Sequence, residues 1–237
     1  MKNEHQIALY ETDVHPCSYL SGKEASTQFL DPRFQVDAST AERLAELGFR
    51  RSGDHTYRPN CPDCSACIPL RVRVDEFEPN RTQRKILNRN AGVSVTLKLP
   101  TTNLEYYRLY RRYISERHRD GDMFPPSAKQ FSEFLGIDSG YTHFWIFREH
   151  GKLLGVTVTD HFSQSLSLVY SFFRTDAGYG RRSLGIYFVL RQILAAKQAG
   201  FPYLYLGYLI RECRKMSYKT SFLPAEQFVD QQWRLIV

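Results

Sequence analysis

The longest regular pattern of apolar and polar positions runs through residues 184–199, LGIYFVLRQILAAKQA, where apolar residues recur at helical spacing. Gly200 follows, and its missing β-carbon suits the turn that closes a helix. The spacing predicts one long amphipathic helix, and the alternation in residues 203–208, YLYLGY, predicts a strand after it. Upstream, residues 143–148, 153–161 and 165–173 read as three strands. The turn Glu149-His-Gly151 joins the first two, so an antiparallel meander is the simplest pairing. Helices are expected at 104–117 and 128–135, separated by the polar loop of residues 120–126, DGDMFPP.

The chain changes character near residue 100. Before it, short segments are punctuated by Pro and Cys; after it, strands and helices follow one another, with no internal repeat. We therefore expect a smaller Cys-containing N-terminal domain over 1–98 and a C-terminal domain over 99–237. The order strand, strand, strand, helix, strand in the second half is that of a GNAT-like N-acyltransferase. Such an α+β fold has a mixed sheet whose central strands splay to admit an acyl donor and an amine.

Composition narrows the class. A chain of 237 residues, 42% hydrophobic and 14% aromatic, can bury a sizeable core. Nothing in it approaches the roughly 18 consecutive apolar residues of a membrane helix. The start, MKNEHQIALYETD, has no apolar stretch of the secretory kind, so a cytoplasmic location is expected. Lys+Arg 32 against Asp+Glu 25 leaves a formal charge of +7, which favours a polyanionic partner. The positive residues fall in three groups: Arg81, Arg84, Lys85 and Arg89; Arg108, Arg111, Arg112, Arg117 and Arg119, interleaved with Tyr106, Tyr107, Tyr110 and Tyr113; and Arg181 with Arg182. One group alone reads equally well as a solvated helix face, but three together point to RNA.

The segment Arg182-Ser-Leu-Gly185-Ile-Tyr187 occupies the place where CoA-dependent acyltransferases carry small residues, which let backbone N–H groups approach a pyrophosphate at the helix start. Gly185 fits and Tyr187 does not, so the expected acyl donor is not CoA, while Arg181 and Arg182 are candidates for holding a phosphodiester. Five cysteines, an odd number, make a disulfide framework improbable. Cys61, Cys64 and Cys67 follow one another at two-residue gaps, a spacing that returns sulfurs to one point on a turning chain, and Cys17 would complete four ligands. Zn²⁺, an iron–sulfur cluster and buried reduced thiols without metal all stay open at this point; Cys213 lies far from the set in sequence.

Over nearly its whole length the chain resembles the N-end-rule aminoacyl-tRNA–protein transferases, which comprise eukaryotic arginyltransferases and shorter bacterial leucyltransferases. The resemblance is carried by the motifs at residues 16–20 (PCSYL), 47–53 (LGFRRSG), 57–61 (YRPNC), 64–67 (CSAC) and 80–85 (NRTQRK). It continues through His118, Met123, 131–135, 158–160 (VTD), Val169-Tyr170, 183–185, 203–208 and 213–219 (CRKMSYK). The compact length looks like the bacterial branch. That resemblance implies transfer of leucine from leucyl-tRNA to proteins with N-terminal Asp or Glu, which marks them for degradation; arginine transfer is the family's other outcome, and CoA-dependent N-acetylation is the rival from outside the family.

An aminoacyl ester is already activated, so its attack by an α-amine needs no ATP, only positioning and proton management. Asp160, ending an apolar strand, is the expected acid/base or amine-orienting group. Tyr170, Tyr208 and Tyr218 are candidates to donate to the leaving ribose oxygen or the oxyanion. Lys215 and Lys219 would share a helical face toward the tRNA 3′ end, where Arg84 is a further contact. For the acceptor's carboxylate a guanidinium fork is the natural partner, and Arg71, Arg73, Arg84 and Arg211 are the candidates.

Overall fold

The computed structural model describes residues 7–236; residues 1–6, which belong to the N-terminal stretch considered above for a secretory signal, and residue 237 lie outside the described residues. In chain order the elements are β1 (Leu9–Glu11), β2 (His15–Pro16), β3 (Glu24–Ala25), β4 (Thr27–Leu30), α1 (Ala38–Glu46), β5 (Arg50–Ser52), β6 (His55–Pro59) and β7 (Ile68–Arg73). They continue with α2 (Arg81–Arg89), β8 (Ser94–Lys98), α3 (Leu104–Arg117), α4 (Ala128–Leu135), β9 (Thr142–Glu149), β10 (Lys152–His161) and β11 (Ser165–Phe173). The last are α5 (Leu184–Gln198), β12 (Tyr203–Leu209), β13 (Ala225–Val229) and β14 (Gln232–Ile236). None of these helices is long and apolar enough to cross a membrane.

Local chemistry sets most helix starts. Asp37, Asn80, Asn103 and Ser127 each accept a bond from the backbone N–H three residues on, and at α2 the Gln83 side chain returns the bond to complete a capping box. The predicted meander is present: β9, β10 and β11 pair antiparallel in succession. They form the middle of an eight-stranded sheet ordered β14-β13-β7-β12-β11-β10-β9-β8. Pairing is antiparallel throughout except between β11 and β12, which run parallel on either side of the α5 crossover. The protein is thus an α+β fold with one large mixed sheet, and its second half has the expected order of three strands, a helix and a strand.

The two faces of the sheet carry separate cores. On one, α5 and α2 cover Leu154, Leu166, Leu204 and Leu206, with Phe188 fully buried and stacked on Phe147 at 3.9 Å. Helix α5 comes so close to β10 that a β-carbon at Gly155 would stand 2.4 Å from the Phe188 ring. On the other face α3 and α4 pack Tyr110, Ile114 and Phe131 over Val156, Val158 and Phe172.

The change of sequence character near residue 100 is not a change of sheet. Strands β7 and β8, both before residue 99, belong to the large sheet, and β7 lies between β12 and β13. What stands apart is a four-stranded sheet ordered β1-β4-β6-β5, with the short β2-β3 pair beside it. The partners of Ile68–Arg73 lie 130 or more residues away along the chain, and nothing local names them.

Candidate active site

Strands β11 and β12 pair only over Ser165–Ser167 and Tyr203–Tyr205; beyond that they part, and β11 runs on to Phe173 while β12 runs on to Leu209. Parting leaves carbonyls of β11 without ladder partners, which buried backbone tolerates only when something else supplies a donor. Arg50, from β5 of the small sheet, supplies it: its Nη2 donates to Leu168 O at 2.8 Å and Val169 O at 3.2 Å. The opposite wall makes room with Gly207, which has a left-handed φ of 75° and where a β-carbon would meet Arg50 Nη1 at 1.7 Å. The small sheet therefore completes the V between the two strands.

Around Arg50 gather several tyrosines and one lysine. Tyr57 is its cross-strand partner in β6. Tyr208 is pinned to the small sheet, its hydroxyl donating to Gly48 O at 2.9 Å. Lys219, 8% exposed in a 3₁₀ turn over Ser217–Ser221, donates from Nζ to Tyr208 O. Burial, aided by Arg50, pushes the Lys219 ammonium down to about 7. Burial likewise raises the phenols of Tyr19, to about 12, and of Tyr218.

Tyr170, next to Val169 on β11, has a buried hydroxyl with no hydrogen-bond partner among the described residues. Burial raises its phenol far above the usual range, and Tyr113, Tyr110 and Tyr19 add to that. A buried unpartnered hydroxyl is costly, and it marks a place where a ligand would supply the missing bond. Loops from distant parts of the chain are tied together near this cluster. Ser18 donates to Asp122 at 2.7 Å, Lys215 holds Asp120 at 2.6 Å, and the His118 ring packs on Tyr113 at 5.1 Å.

The other expected site residues divide. Asp160, expected as an acid/base, is 2% exposed and fully engaged: Arg51 Nε and Nη2 donate to it at 3.0 and 2.8 Å, and the Thr142 hydroxyl at 2.6 Å. It fastens the small sheet to β10 and offers a substrate no free face. Tyr208 is likewise an anchor. Lys215 and Lys219 share no face, because their segment is a turn rather than an α-helix: the first reaches outward to Asp120 and the second is buried. Arg71 is committed to Glu226 at 2.6 Å and lies between the Tyr203 and Trp233 rings, at 3.6 and 4.2 Å. Arg73 pairs with Glu76 and Glu226, and the exposed Arg211 bonds Gln227 at 3.0 Å. Arg71 and Arg73 also pair with Tyr205 and Tyr203, at the closed end of the V.

Of the positive groups, Arg182 is turned inward onto Glu149 at 2.6 Å and Asn90 at 2.8 Å. Arg89 donates to the carbonyl of Arg181, so Arg84, Lys85, Arg89 and Arg181 form one exposed patch from two sequence groups. On α3, Arg108 and Arg111 are exposed, while Arg112 is paired with Glu116 and Asp176. Tyr187 is 2% exposed and packs against Phe147, filling the start of α5 with side chain.

All five cysteines are free and half-buried. Cys61, Cys17, Cys64 and Cys213 all lie near enough to Cys67 to act on it electrostatically, and burial together with these neighbours raises its thiol to about 12. Soft donors from three chain segments therefore meet, Cys213 included. Among the described residues, however, no three His, Cys, Asp or Glu side chains close on one point tightly enough to hold a metal ion as they stand. The donor chemistry suits Zn²⁺ or an iron–sulfur cluster, and holding one requires the loops to draw in.

Sequence reasoning gave no site role to Arg50, Arg51, Tyr19 and Tyr57, although all four stood in motifs that carried the resemblance. Successive residues of a strand point to opposite sides; one arginine therefore enters the V while its neighbour reaches Asp160.

Comparison with known proteins shows two family matches: "arginine-tRNA-protein transferase, N terminus" over residues 15–85 and "arginine-tRNA-protein transferase, C terminus" over residues 105–229. A curated aspartate/glutamate leucyltransferase of Pseudomonas aeruginosa is 51% identical over 228 residues, 96% of each chain. Another, of Teredinibacter turnerae, is 48% identical over 229 residues, 96% of this chain and 93% of that one. Among solved structures FemX superposes with a TM-score of 0.45 at 9% identity, over 85% of this chain and 79% of that one, a likeness too loose to bear on function.

Proposed function

The chain belongs to the arginine-tRNA-protein transferase family, and from that premise we propose that it is an aminoacyltransferase moving leucine from leucyl-tRNA to the N-terminal Asp or Glu of proteins, which marks them for degradation by the N-end rule. The near full-length likeness to aspartate/glutamate leucyltransferases carries this reading. Its site is the V between β11 and β12. The exposed patch of Arg84, Lys85, Arg89 and Arg181, with Arg108 and Arg111, supplies the phosphate contacts. Arg50 in the V and Tyr187 at the start of α5 support a tRNA-borne acyl group over CoA. Work on tRNA places the protein in the cytoplasm.

The reaction needs a neutral amine, an oriented ester and a donor for the departing oxygen. An N-terminal ammonium titrates near 7.7 to 8.0 in water. A fraction of it is therefore already neutral near physiological pH. The unpartnered Tyr170 hydroxyl donates to the oxyanion or to the leaving ribose oxygen. No ATP is required. Transfer of labelled leucine from leucyl-tRNA to a peptide beginning with Asp tests the reading, with arginyl-tRNA and acetyl-CoA as alternative donors. Transfer from acetyl-CoA alone would overturn it, and transfer from arginyl-tRNA alone would change the donor.

For the cysteines we propose that Cys17, Cys61, Cys64 and Cys67 hold Zn²⁺ or an iron–sulfur cluster, which would clamp the turn after β2 to the segment between β6 and β7. Elemental analysis and the visible spectrum of anaerobically purified protein test this; an active, colourless, metal-free preparation would refute it.

A further inference from the structure

Buried charge in a protein is ordinarily paired, because leaving water without compensation is costly. The ion pairs of this structure show the rule in Arg51 with Asp160, Arg71 with Glu226 and Arg182 with Glu149. Lys219, 8% exposed, breaks it, and the half-buried Arg50 beside it is likewise unpaired. Among the described residues neither has a carboxylate within ion-pair distance. The charged and titratable groups acting on Lys219 are Arg50, Cys213 and Cys67, with no Asp or Glu among them. Two cations thus lie in one cluster with several tyrosines, near a buried hydroxyl that also lacks a partner among the described residues.

We infer that Arg50 and Lys219 together form the site that reads the side-chain carboxylate of the acceptor's first residue, an inference that rests on the transferase reading above. Both cations retain donors for it. Arg50 spends Nη2 on the two β11 carbonyls, and Lys219 spends one of three N–H bonds on Tyr208 O. A guanidinium and an ammonium set side by side suit the short carboxylate arm of Asp and the longer one of Glu, and they give an uncharged amide no comparable gain. Position favours the acceptor as well. Arg50 binds the carbonyl of Val169, the residue before Tyr170, and Tyr19 is close enough to feel Arg50 and to act on Tyr170. Anchoring the carboxylate here brings the adjacent α-amine to the neighbourhood of the Tyr170 hydroxyl. The other arginines considered for this role lie elsewhere: Arg71 and Arg73 at the closed end of the V, Arg211 on Gln227, and Arg84 on the exposed face of α2 with a bond to Pro79 O.

The test uses the full chain with saturating leucyl-tRNA and two peptides identical except for a first residue of Asp or Asn. The wild type is expected to prefer Asp. In Lys219→Met and Arg50→Lys the KM for the Asp peptide should rise and the Asp-over-Asn ratio of kcat/KM should fall by about 10- to 100-fold, the range of one charge-assisted bond. The kcat at saturating Asp peptide should change far less, and Lys219→Arg should keep most of the preference. Equal proportional losses on both peptides would overturn the inference and assign the cations to the reacting carbonyl. An unchanged preference with altered thiol reactivity would also overturn it and make the cations counter-charges to the cysteines. Thermal melts accompany each variant, and should Arg50→Lys fail to fold, Lys219→Met decides alone, since Met suits a buried position. If the wild type passes leucine to neither peptide, the transferase reading itself has failed.

Discussion

Replacing Asp160 by Asn separates structural from chemical importance in a single substitution. The carboxylate accepts two bonds from Arg51 and one from Thr142, and the side chains of the ion pair are 7% and 3% exposed for Arg51 and Asp160. Asn retains the shape but loses the charge and one acceptor, so the Arg51 guanidinium is left buried without a counter-ion. Breaking such a pair from one side costs about 3–5 kcal/mol. For a chain of this size that corresponds to a melting temperature lower by roughly 6–20 °C. Urea unfolding at neutral pH measures the loss directly. Turnover of the folded fraction, assayed well below the melting point, should change by less than roughly twofold, ~0.4 kcal/mol. Adding Arg51→Met should recover much of the stability, because removing both charges abolishes the penalty that removing one creates. A variant of wild-type stability with collapsed kcat would refute this reasoning and return Asp160 to the chemistry.

Gly207→Ala should cost ~1–2 kcal/mol for a side chain in the left-handed region and ~1–3 kcal/mol more for carbonyls stripped of Arg50, since its β-carbon would meet Nη1 at 1.7 Å; a urea melt showing a loss below about 1 kcal/mol would mean that Arg50 can swing aside freely. Phe188→Ala should lose ~3–5 kcal/mol by the same measurement, since the ring is fully buried against Phe147 and β10. His161 accepts a bond from the Trp145 indole at 2.9 Å, and burial, with His143 beside it, pushes the imidazole down to about 4. Its folded value lies below the unfolded one near 6.5, so the native state binds this proton less readily and stability falls as pH drops from about 6.5 to about 4. His161→Phe should flatten that part of the acid-stability curve, followed by tryptophan fluorescence; an unchanged slope would remove His161 as its source.

Sequence periodicity located the elements whose partners are close in the chain. Helix α5 begins where the pattern places it and ends one residue short, and the β9–β10–β11 meander follows from alternation and a two-sided turn. It failed where meaning depends on distant residues. Asp160 looks like a free strand-end carboxylate until Arg51, 109 residues earlier, is seen to claim it. Lys215 and Lys219 stand at helical spacing, but the backbone there forms a 3₁₀ turn and sends them opposite ways. Tyr170 was legible as a polar residue in an apolar strand; that its buried hydroxyl lacks a partner among the described residues, while that of Tyr208 has one, is a fact of packing. The cysteine spacing foretold the gathering of Cys17 with the 61–67 segment and gave no hint that Cys213 would join it.

The place of β7 between β12 and β13 also sets a timetable for the ribosome. Ile68–Arg73 is made early, but both its neighbours are made last, beginning at Tyr203 and Ala225. At synthesis rates of about 5–20 residues per second, this apolar strand waits on the order of ten seconds with neither edge satisfied. During that interval it is a ready template for pairing with another chain. A nascent protein of this topology depends on being shielded until residues 203–229 emerge, and truncation before Tyr203 should leave β7 exposed as well as shorten the sheet.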